Sequence, residues 1–248
     1  MWRISLNMRK NAKENIIVVC TIVLCFMLTL ALCLVLSGEG LLSVFKNDKS
    51  EKCTFYAVAT GGYSDITLAR NNAELVKQRG GAGYVIAGDS IEIIFAVYKS
   101  EDEANSALSA LGNRSAYIKK IEIEKGGFKW CKDDLKTAEK EALGYFDLAY
   151  DKLFEVSSAL NDGKIALEDA KTQIKVLYAQ IEDIKSAFYQ NTVGCDKDEI
   201  TQTKLALVTT LALLDNIDFA KSTALVASSI RYQIVQLVLC RQALMKSI

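Results

Sequence analysis

The chain has 248 residues, of which 30 are basic and 30 acidic, so its formal net charge is zero. This balance argues against a nucleic-acid binder, whose affinity depends on neutralising phosphates. Histidine is absent, which excludes imidazole general bases, Ser/His and Cys/His nucleophile pairs, and zinc sites that contain histidine.

The stretch from Ile16 to Leu36 predicts a membrane-spanning helix. None of its 21 residues is charged, and a helix of this length crosses a hydrocarbon core of about 30 Å. A cleavable signal peptide is the alternative, but its apolar region is usually about 7 to 15 residues long and small residues follow at the cut. Ser37-Gly38 offers only a poor cleavage site. We therefore predict a tail at residues 1–15 and a transmembrane helix at residues 16–37.

Basic residues lie mainly on one side of this predicted helix. Arg9, Lys10 and Lys13 precede it, whereas the nearest base after it is Lys46. By the positive-inside rule, the tail then lies in the cytoplasm. The expected location is the cell membrane, with a single span and the bulk of the chain outside the cytoplasm.

After a linker at residues 38–52, short apolar runs alternate with helical periodicity. The runs TFYAVAT, GYVIAGD, IEIIFAVY and AYIKKIEIE predict four strands, of which the second and third form a hairpin. Asp65 is placed to cap one helix, which stops at a glycine cluster, and Ser100 with Glu103 gives a capping-box pattern for another. This βαββαβ order predicts an α+β, ferredoxin-like domain at residues 53–125, with two helices on one face of a four-stranded antiparallel sheet.

Two segments of this domain, FYAVATGGYSDITLARNNAELVKQ and IIFAVYKSEDEANSALSAL, resemble the two halves of the SPOR (sporulation-related repeat) domain. In that family a strand ending in glycine and an aromatic residue precedes each helix. The positions that fit are Tyr56, Val58, Gly61, Tyr63, Ile93, Phe95 and Tyr98. The resemblance implies a domain on a single membrane anchor that binds peptidoglycan strands stripped of their stem peptides, in cell division or sporulation.

The chain departs from the family pattern on the open face of the sheet. The family often has a polar side chain, commonly Gln, where this chain has Ala59, and commonly has Arg and then Gly-Pro where it has Ile94, Ala96 and Val97. A sugar would have fewer hydrogen-bonding partners there, and its recognition depends on them. Two interpretations stay open: a noncatalytic peptidoglycan-binding protein, or a membrane-anchored scaffold or assembly protein that keeps the SPOR-like fold and binds protein partners.

Alternation along the strands assigns side chains to the two faces of the sheet. Those expected to point toward the two helices are Tyr56, Val58, Ile93 and Phe95. The candidate glycan-binding residues, on the open face or at the strand ends, are Phe55, Ala57, Ala59, Tyr63, Glu92, Ile94 and Tyr98. The alternative is that the aromatic members of this set pack against the linker or the C-terminal helices.

In a sheet of this type the last strand lies antiparallel beside the first, which brings Cys53 and Cys131 to one edge. In an oxidising exterior they could form a disulfide worth about 4 kcal/mol on the chain-entropy model. Two unpaired thiols are the alternative. No two cysteines form a CxxC pair, and neither a metal site nor a cofactor is expected.

Residues 126–248 have helical periodicity and predict an all-α antiparallel bundle or hairpin. The clearest pattern runs from Leu167 to Phe188, where apolar residues alternate by three and four positions. Residues 198–247 predict one long helix or two joined near Asp215. The broad apolar faces indicate self-association or contact with protein partners. No nucleophile with a base, no phosphate loop and no metal spacing is present, so no enzymatic activity is predicted.

Overall fold

A computed structural model of the chain describes residues 52–113, 115–124 and 133–248, which form a mixed α+β arrangement. The strands in this part of the chain are β1 Lys52–Tyr63, β2 Tyr84–Ala87, β3 Ile91–Tyr98 and β4 Ala116–Glu124. Its helices are α1 Ile66–Gln78, α2 Glu101–Leu111, α3 Asp133–Asn161, α4 Leu167–Asn191, α5 Asp198–Asp215 and α6 Thr223–Ser247. The predicted βαββαβ order is confirmed.

The four strands form one antiparallel sheet in the order β2-β3-β1-β4. Nine residue pairs join β1 to β4 without interruption, as expected for a first strand that lies beside the last. β2 and β3 form the predicted hairpin. The ladder between β1 and β3 shifts register between Val58 and Ala59 and again after Thr60. Such irregularities bend a strand and re-aim its side chains.

Glycines in the loop between α1 and β2 allow this loop to pass close behind the helix. A Cβ atom on Gly83 would lie 2.5 Å from the carbonyl oxygen of Ala73, and Gly83 has a φ of +57°. A Cβ atom on Gly81 would lie 2.6 Å from the Val76 side chain. Only glycine fits such spacing without moving the helix, so the glycine cluster that predicts the end of α1 also sets its distance from the sheet.

The starts of α1 and α2 differ from each other in their capping. The Asp65 carboxylate accepts a hydrogen bond of 2.6 Å from the backbone N–H of Thr67, which lowers the pKa of Asp65 and confirms the predicted cap. Ser100 occupies the corresponding position before α2, but its side chain makes no capping hydrogen bond. The predicted capping box at Ser100 and Glu103 is therefore wrong, and the three acidic residues of the first turn of α2 supply the favourable charge there.

The helical part contains four helices, and the region after residue 197 forms two of them. α5 ends at Asp215 and α6 begins at Thr223, so the interpretation as two helices holds. Within α4 the buried residues are Ala170, Ile174, Leu177, Ile181 and Phe188, which follow the predicted alternation by three and four. α6 packs on α3 and α5 and also lies against β3 and β4.

One hydrophobic core joins the sheet to these four helices. The sheet contributes Phe55, Ala57, Ala59, Ile94, Val97, Ile121 and Ile123, all of which are buried. The Phe55 ring lies 5.1 Å from that of Tyr150 on α3, measured between centroids. The described residues form one compact unit, and the main core contains residues from both sides of residue 126.

Polar contacts reinforce this junction around its edge. Arg241 of α6 donates two hydrogen bonds to Asp147 of α3, at 2.9 and 3.2 Å. The Gln242 side chain donates to the backbone oxygen of Glu122 at 3.0 Å, and the Ser228 hydroxyl donates to that of Gly81 at 2.7 Å. The sheet, α3 and α6 are therefore held together by directional bonds as well as by packing.

Among the described residues, one helix, α6, is long and apolar enough to cross a membrane by length and composition alone. Half of its most apolar window is buried inside the protein, which is typical of a core helix. The predicted tail, transmembrane helix and linker, residues 1–15, 16–37 and 38–52, lie outside the described residues except for Lys52.

Candidate functional site

Four of the seven candidate glycan-binding residues lie in the core between the sheet and the bundle. Phe55 is 1% exposed, and Ala57, Ala59 and Ile94 are fully buried. The prediction that they occupy an open face is wrong, because α3 and α6 cover that face. The alternative, in which they pack against the C-terminal helices, holds for Phe55. Strand alternation is correct for Val58 and Ile93, which are buried on the opposite face. It breaks at the register shift in β3, where Phe95 and Ala96 both line that opposite face and Val97 joins Ile94 in the core.

The other three candidates are divided between the two faces of the sheet, with Tyr63 and Tyr98 on the face opposite Glu92. Tyr98 packs its ring edge-on against Phe154, with 5.7 Å between the ring centroids. Tyr63 is half-buried beside the small apolar cluster under α1. Glu92 is on the same face as Ala59 and Ile94 and is itself buried, at 9% exposure. The seven residues therefore do not form one site.

Glu92 belongs to a polar cluster with Tyr117 and Lys119 on that face. Its carboxylate accepts hydrogen bonds from the Tyr117 hydroxyl, at 2.7 Å, and from the Lys119 ammonium group. Burial alone would raise the pKa of Glu92, but these bonds and the Lys119 charge outweigh burial and lower it. Burial and the Glu92 carboxylate together raise the pKa of Tyr117 to about 12. The carboxylate is thus ionised and fully engaged, which does not suit it to proton transfer at neutral pH.

The predicted cysteine pair is not tested, because Cys131 lies outside the described residues. Cys53 is half-buried, pairs with Ile123 across the β1–β4 ladder and packs against the main core. Cys195 and Cys240 are also half-buried free thiols. Burial raises the pKa of the Cys240 thiol, so this group is protonated and is a poor nucleophile.

A groove opens on the other face of the sheet. It lies between α1 and α2 and has a volume of about 300 Å³. The strands form its floor with Val58, Phe95 and Ala96, and the two predicted tyrosines, Tyr63 and Tyr98, also line it. The helices and flanking loops supply Asn72, Leu75, Val76, Arg79, Gly81, Ala107, Leu111 and Asn113, and α6 supplies Arg231.

Two arginines line this groove near the end of α1, namely Arg79, which is the C-cap residue of that helix, and Arg231 of α6. Arg231 donates a hydrogen bond of 2.7 Å to the backbone oxygen of Gly80, the residue after Arg79. Burial lowers the pKa of Arg231, and the nearby Tyr98 and Asp162 partly oppose that shift. Asp162 itself is bonded to Lys164 at 2.8 Å. Sequence patterns do not indicate this site, because its residues come from three helices and two strands that no local pattern relates.

No group of three or more Cys, Asp or Glu side chains that could hold a metal ion occurs within the ranges that the structure describes. Comparisons of the chain with protein-family models, with curated proteins and with solved structures found no match. The interpretation of function therefore depends on the geometry of the two sheet faces.

Proposed function

We propose that this chain is a noncatalytic scaffold or assembly protein, anchored in the cell membrane by residues 16–37, with its tail in the cytoplasm. In this proposal a ferredoxin-like, SPOR-like sheet and a helical bundle act together outside the cytoplasm and bind protein partners. The observation that carries the proposal is the burial of Phe55, Ala57, Ala59 and Ile94. The sheet face that glycan binding would use is occupied by the protein's own helices.

Opening that face for a glycan strand would be costly. Each large apolar side chain that returns to water loses roughly 1.5 to 3 kcal/mol of burial free energy, and both Phe55 and Ile94 would be exposed. The hydrogen bonds from Arg241 to Asp147 and from Gln242 to Glu122 would also be lost. A covered face supports a structural role for the sheet better than a role as a sugar platform.

An apolar strip on α5 is the surface that we propose for protein contact. Leu205 is 58% exposed and Val208 is 44% exposed, and Ala212 continues the same helical row at a spacing of four. None of these three side chains carries a charge that would have to be desolvated on binding. Neighbouring exposed apolar residues of this kind are typical of the centre of a protein interface.

Sedimentation with cell-wall sacculi tests the proposal against peptidoglycan binding. The full-length chain in lipid nanodiscs is mixed with amidase-treated sacculi, and a glycan-binding SPOR protein serves as the positive control. We expect the chain to stay in the supernatant while the control pellets. Retention of the chain would overturn the scaffold proposal and favour glycan recognition.

Two further measurements test the anchor and the contact surface. Protease added to intact protoplasts should degrade the bulk of the chain, and protection would contradict the proposed topology.

Leu205→Glu should weaken the co-purification of a partner, or of a second, differently tagged copy, relative to wild type. Gln180→Glu, at an exposed position on α4, is the matched control and should have no effect.

A further inference from the structure

The groove between α1 and α2 has an uneven distribution of charge. Of the residues that line it, Arg79 and Arg231 are charged, and none is acidic. Arg231 is bonded to Gly80, and Arg79 is the residue before it, whereas the strands contribute mainly apolar residues beside Thr60. A lining of this composition is complementary to a ligand with one anionic end and an apolar body.

Neither arginine has a carboxylate partner among the described residues. The Arg79 side chain is exposed there and makes no hydrogen bond or ion pair within those ranges. Arg231 is half-buried and is bonded to one backbone oxygen, which leaves most of its five donors open. A partly buried guanidinium group with one neutral partner is a favourable place for an added carboxylate, because two parallel hydrogen bonds can form.

The nearby acidic residues do not fill this role. Asp162 is close enough to affect the pKa of Arg231, but its carboxylate is bonded to Lys164. Glu103 affects the pKa of Tyr98 at the same end of the sheet, yet it does not line the groove. Neither of these two carboxylates therefore contributes to the lining of the groove.

The apolar part of the groove limits the size of such a ligand. A volume of about 300 Å³ corresponds to about ten groups of the size of a water molecule. Leu75 lies one helical turn before Arg79 and is 53% exposed, so apolar surface begins directly beside the charged end. Val58, Phe95 and Ala96 continue it across the sheet.

We propose that this groove binds a small amphiphilic carboxylate, with its carboxylate between Arg79 and Arg231 and its alkyl chain over Val76 and Phe95. The proposal is independent of the scaffold role. Octanoate, which has about ten non-hydrogen atoms, is a suitable probe, and ligands of that size bind with a Kd on the order of 1 mM.

Protection of an introduced thiol tests the proposal at the site itself. In the full-length chain in nanodiscs, Leu75→Cys is alkylated with iodoacetamide, and its rate is followed on the peptide that contains it by mass spectrometry. Octanoate at about twice its Kd should slow the reaction about threefold, because only the unliganded fraction reacts. Leu68→Cys, at a position 52% exposed on the same helix and outside the groove lining, is the matched control and should be unaffected.

Three comparisons separate specific binding from general partitioning. Octanamide, which lacks the charge, and acetate, which lacks the chain, should protect Leu75→Cys far less than octanoate.

Adding Arg79→Gln to Leu75→Cys should remove the protection, whereas adding Arg70→Gln, on the same helix outside the groove, should preserve it. Equal protection by octanamide, or protection that survives Arg79→Gln, would overturn the proposal. The proposal would also be overturned if, without ligand, the Leu75→Cys thiol reacted much more slowly than the Leu68→Cys thiol. Another part of the chain or a second copy would then fill the groove.

Discussion

The two faces of the sheet are both apolar, but they are covered in different ways. On one face α3 and α6 seal the strands, so that Phe55 is 1% exposed and Ile94 is fully buried. On the other face α1 and α2 lie on the strands but leave a groove, in which Phe95 and Ala96 remain half-buried. One face contributes to the main core, and the other offers a ligand-sized opening.

The difference follows from the side chains that the helices contribute. The fully buried residues of α1 and α2 are all alanines, namely Ala69, Ala73 and Ala104. Alanine lets a helix approach the sheet closely, but it has no side chain long enough to fill the space beside the helix. α3 and α6 instead contribute large side chains such as Tyr150, Leu153 and Val238. A cavity on a sheet can thus result from small residues at the contact as well as from a missing helix.

The largest expected effect comes from truncating a large side chain on the sealed face. Phe55→Ala should lower the free energy of unfolding by about 3 to 5 kcal/mol, because it leaves a cavity that packed neighbours cannot fill. Phe95→Ala, its counterpart on the groove face, should lower the free energy of unfolding clearly less, since Phe95 is only partly buried. Urea unfolding of the full-length chain, followed by far-UV circular dichroism, gives both values. Equal losses would mean that the two faces are packed equally well.

Two glycine substitutions should change the free energy of unfolding in opposite directions. Gly83→Ala puts a Cβ atom 2.5 Å from the Ala73 carbonyl oxygen and forces alanine into a positive φ, so we expect a loss of about 1 to 3 kcal/mol. Gly144→Ala, in the exposed part of α3, meets nothing within 4 Å and should stabilise the protein by about 0.5 to 1 kcal/mol. Thermal unfolding of the two variants measures the difference. A neutral Gly83→Ala would show that α1 moves away from the loop without cost.

Local patterns in the sequence predicted most of the elements. The alternating run AYIKKIEIE corresponds to β4 from its first residue to its last, and the three-four repeat of α4 identifies the residues that are buried. Helix ends at glycine clusters are also where the pattern placed them. These features depend on residues within about one turn or one strand of each other, which is the range over which sequence periodicity carries information.

The sites could not be predicted in the same way, because they depend on contacts between distant parts of the chain. Alternation separated Phe55 from Val58 correctly, but it could not show that Tyr150 and α6 would cover Phe55. The polar cluster of Glu92, Tyr117 and Lys119 depends on the register between β1, β3 and β4, which the strand sequences do not specify. The resemblance to a sugar-binding family favoured an open face that the helices occupy.

Removing one buried hydroxyl tests the bond between the sealed face and the helices. The Tyr150 hydroxyl donates to the backbone oxygen of Val97 at 2.9 Å. Tyr150→Phe leaves that buried oxygen without its partner and should cost about 1 to 2 kcal/mol. Tyr178→Phe, at a position 38% exposed on α4, should leave the free energy of unfolding almost unchanged. Chemical denaturation gives the free energy of unfolding of both variants. Similar losses for the two would contradict a specific role for the Tyr150 hydrogen bond.

The smallest expected effect is a pH dependence at the edge of the sealed face. Burial alone would raise the pKa of Asp147, but the hydrogen bonds and charge of Arg241, with the charge of Lys99, outweigh burial and hold it below the ordinary value of 3.8. A carboxyl group whose pKa is lower in the folded state stabilises the fold above its unfolded pKa, and this contribution is lost as the pH falls through the folded pKa.

Below about pH 4, the wild-type free energy of unfolding should therefore fall more steeply than that of Asp147→Asn. Asp183→Asn, at an exposed position without an ion pair among the described residues, should keep the wild-type slope. Urea unfolding at a series of acidic pH values gives the three slopes. If Asp147→Asn kept the wild-type slope, the Asp147–Arg241 pair would contribute nothing measurable to the closure of the sealed face, which would then depend on packing and on the hydrogen bonds of Tyr150, Ser228 and Gln242.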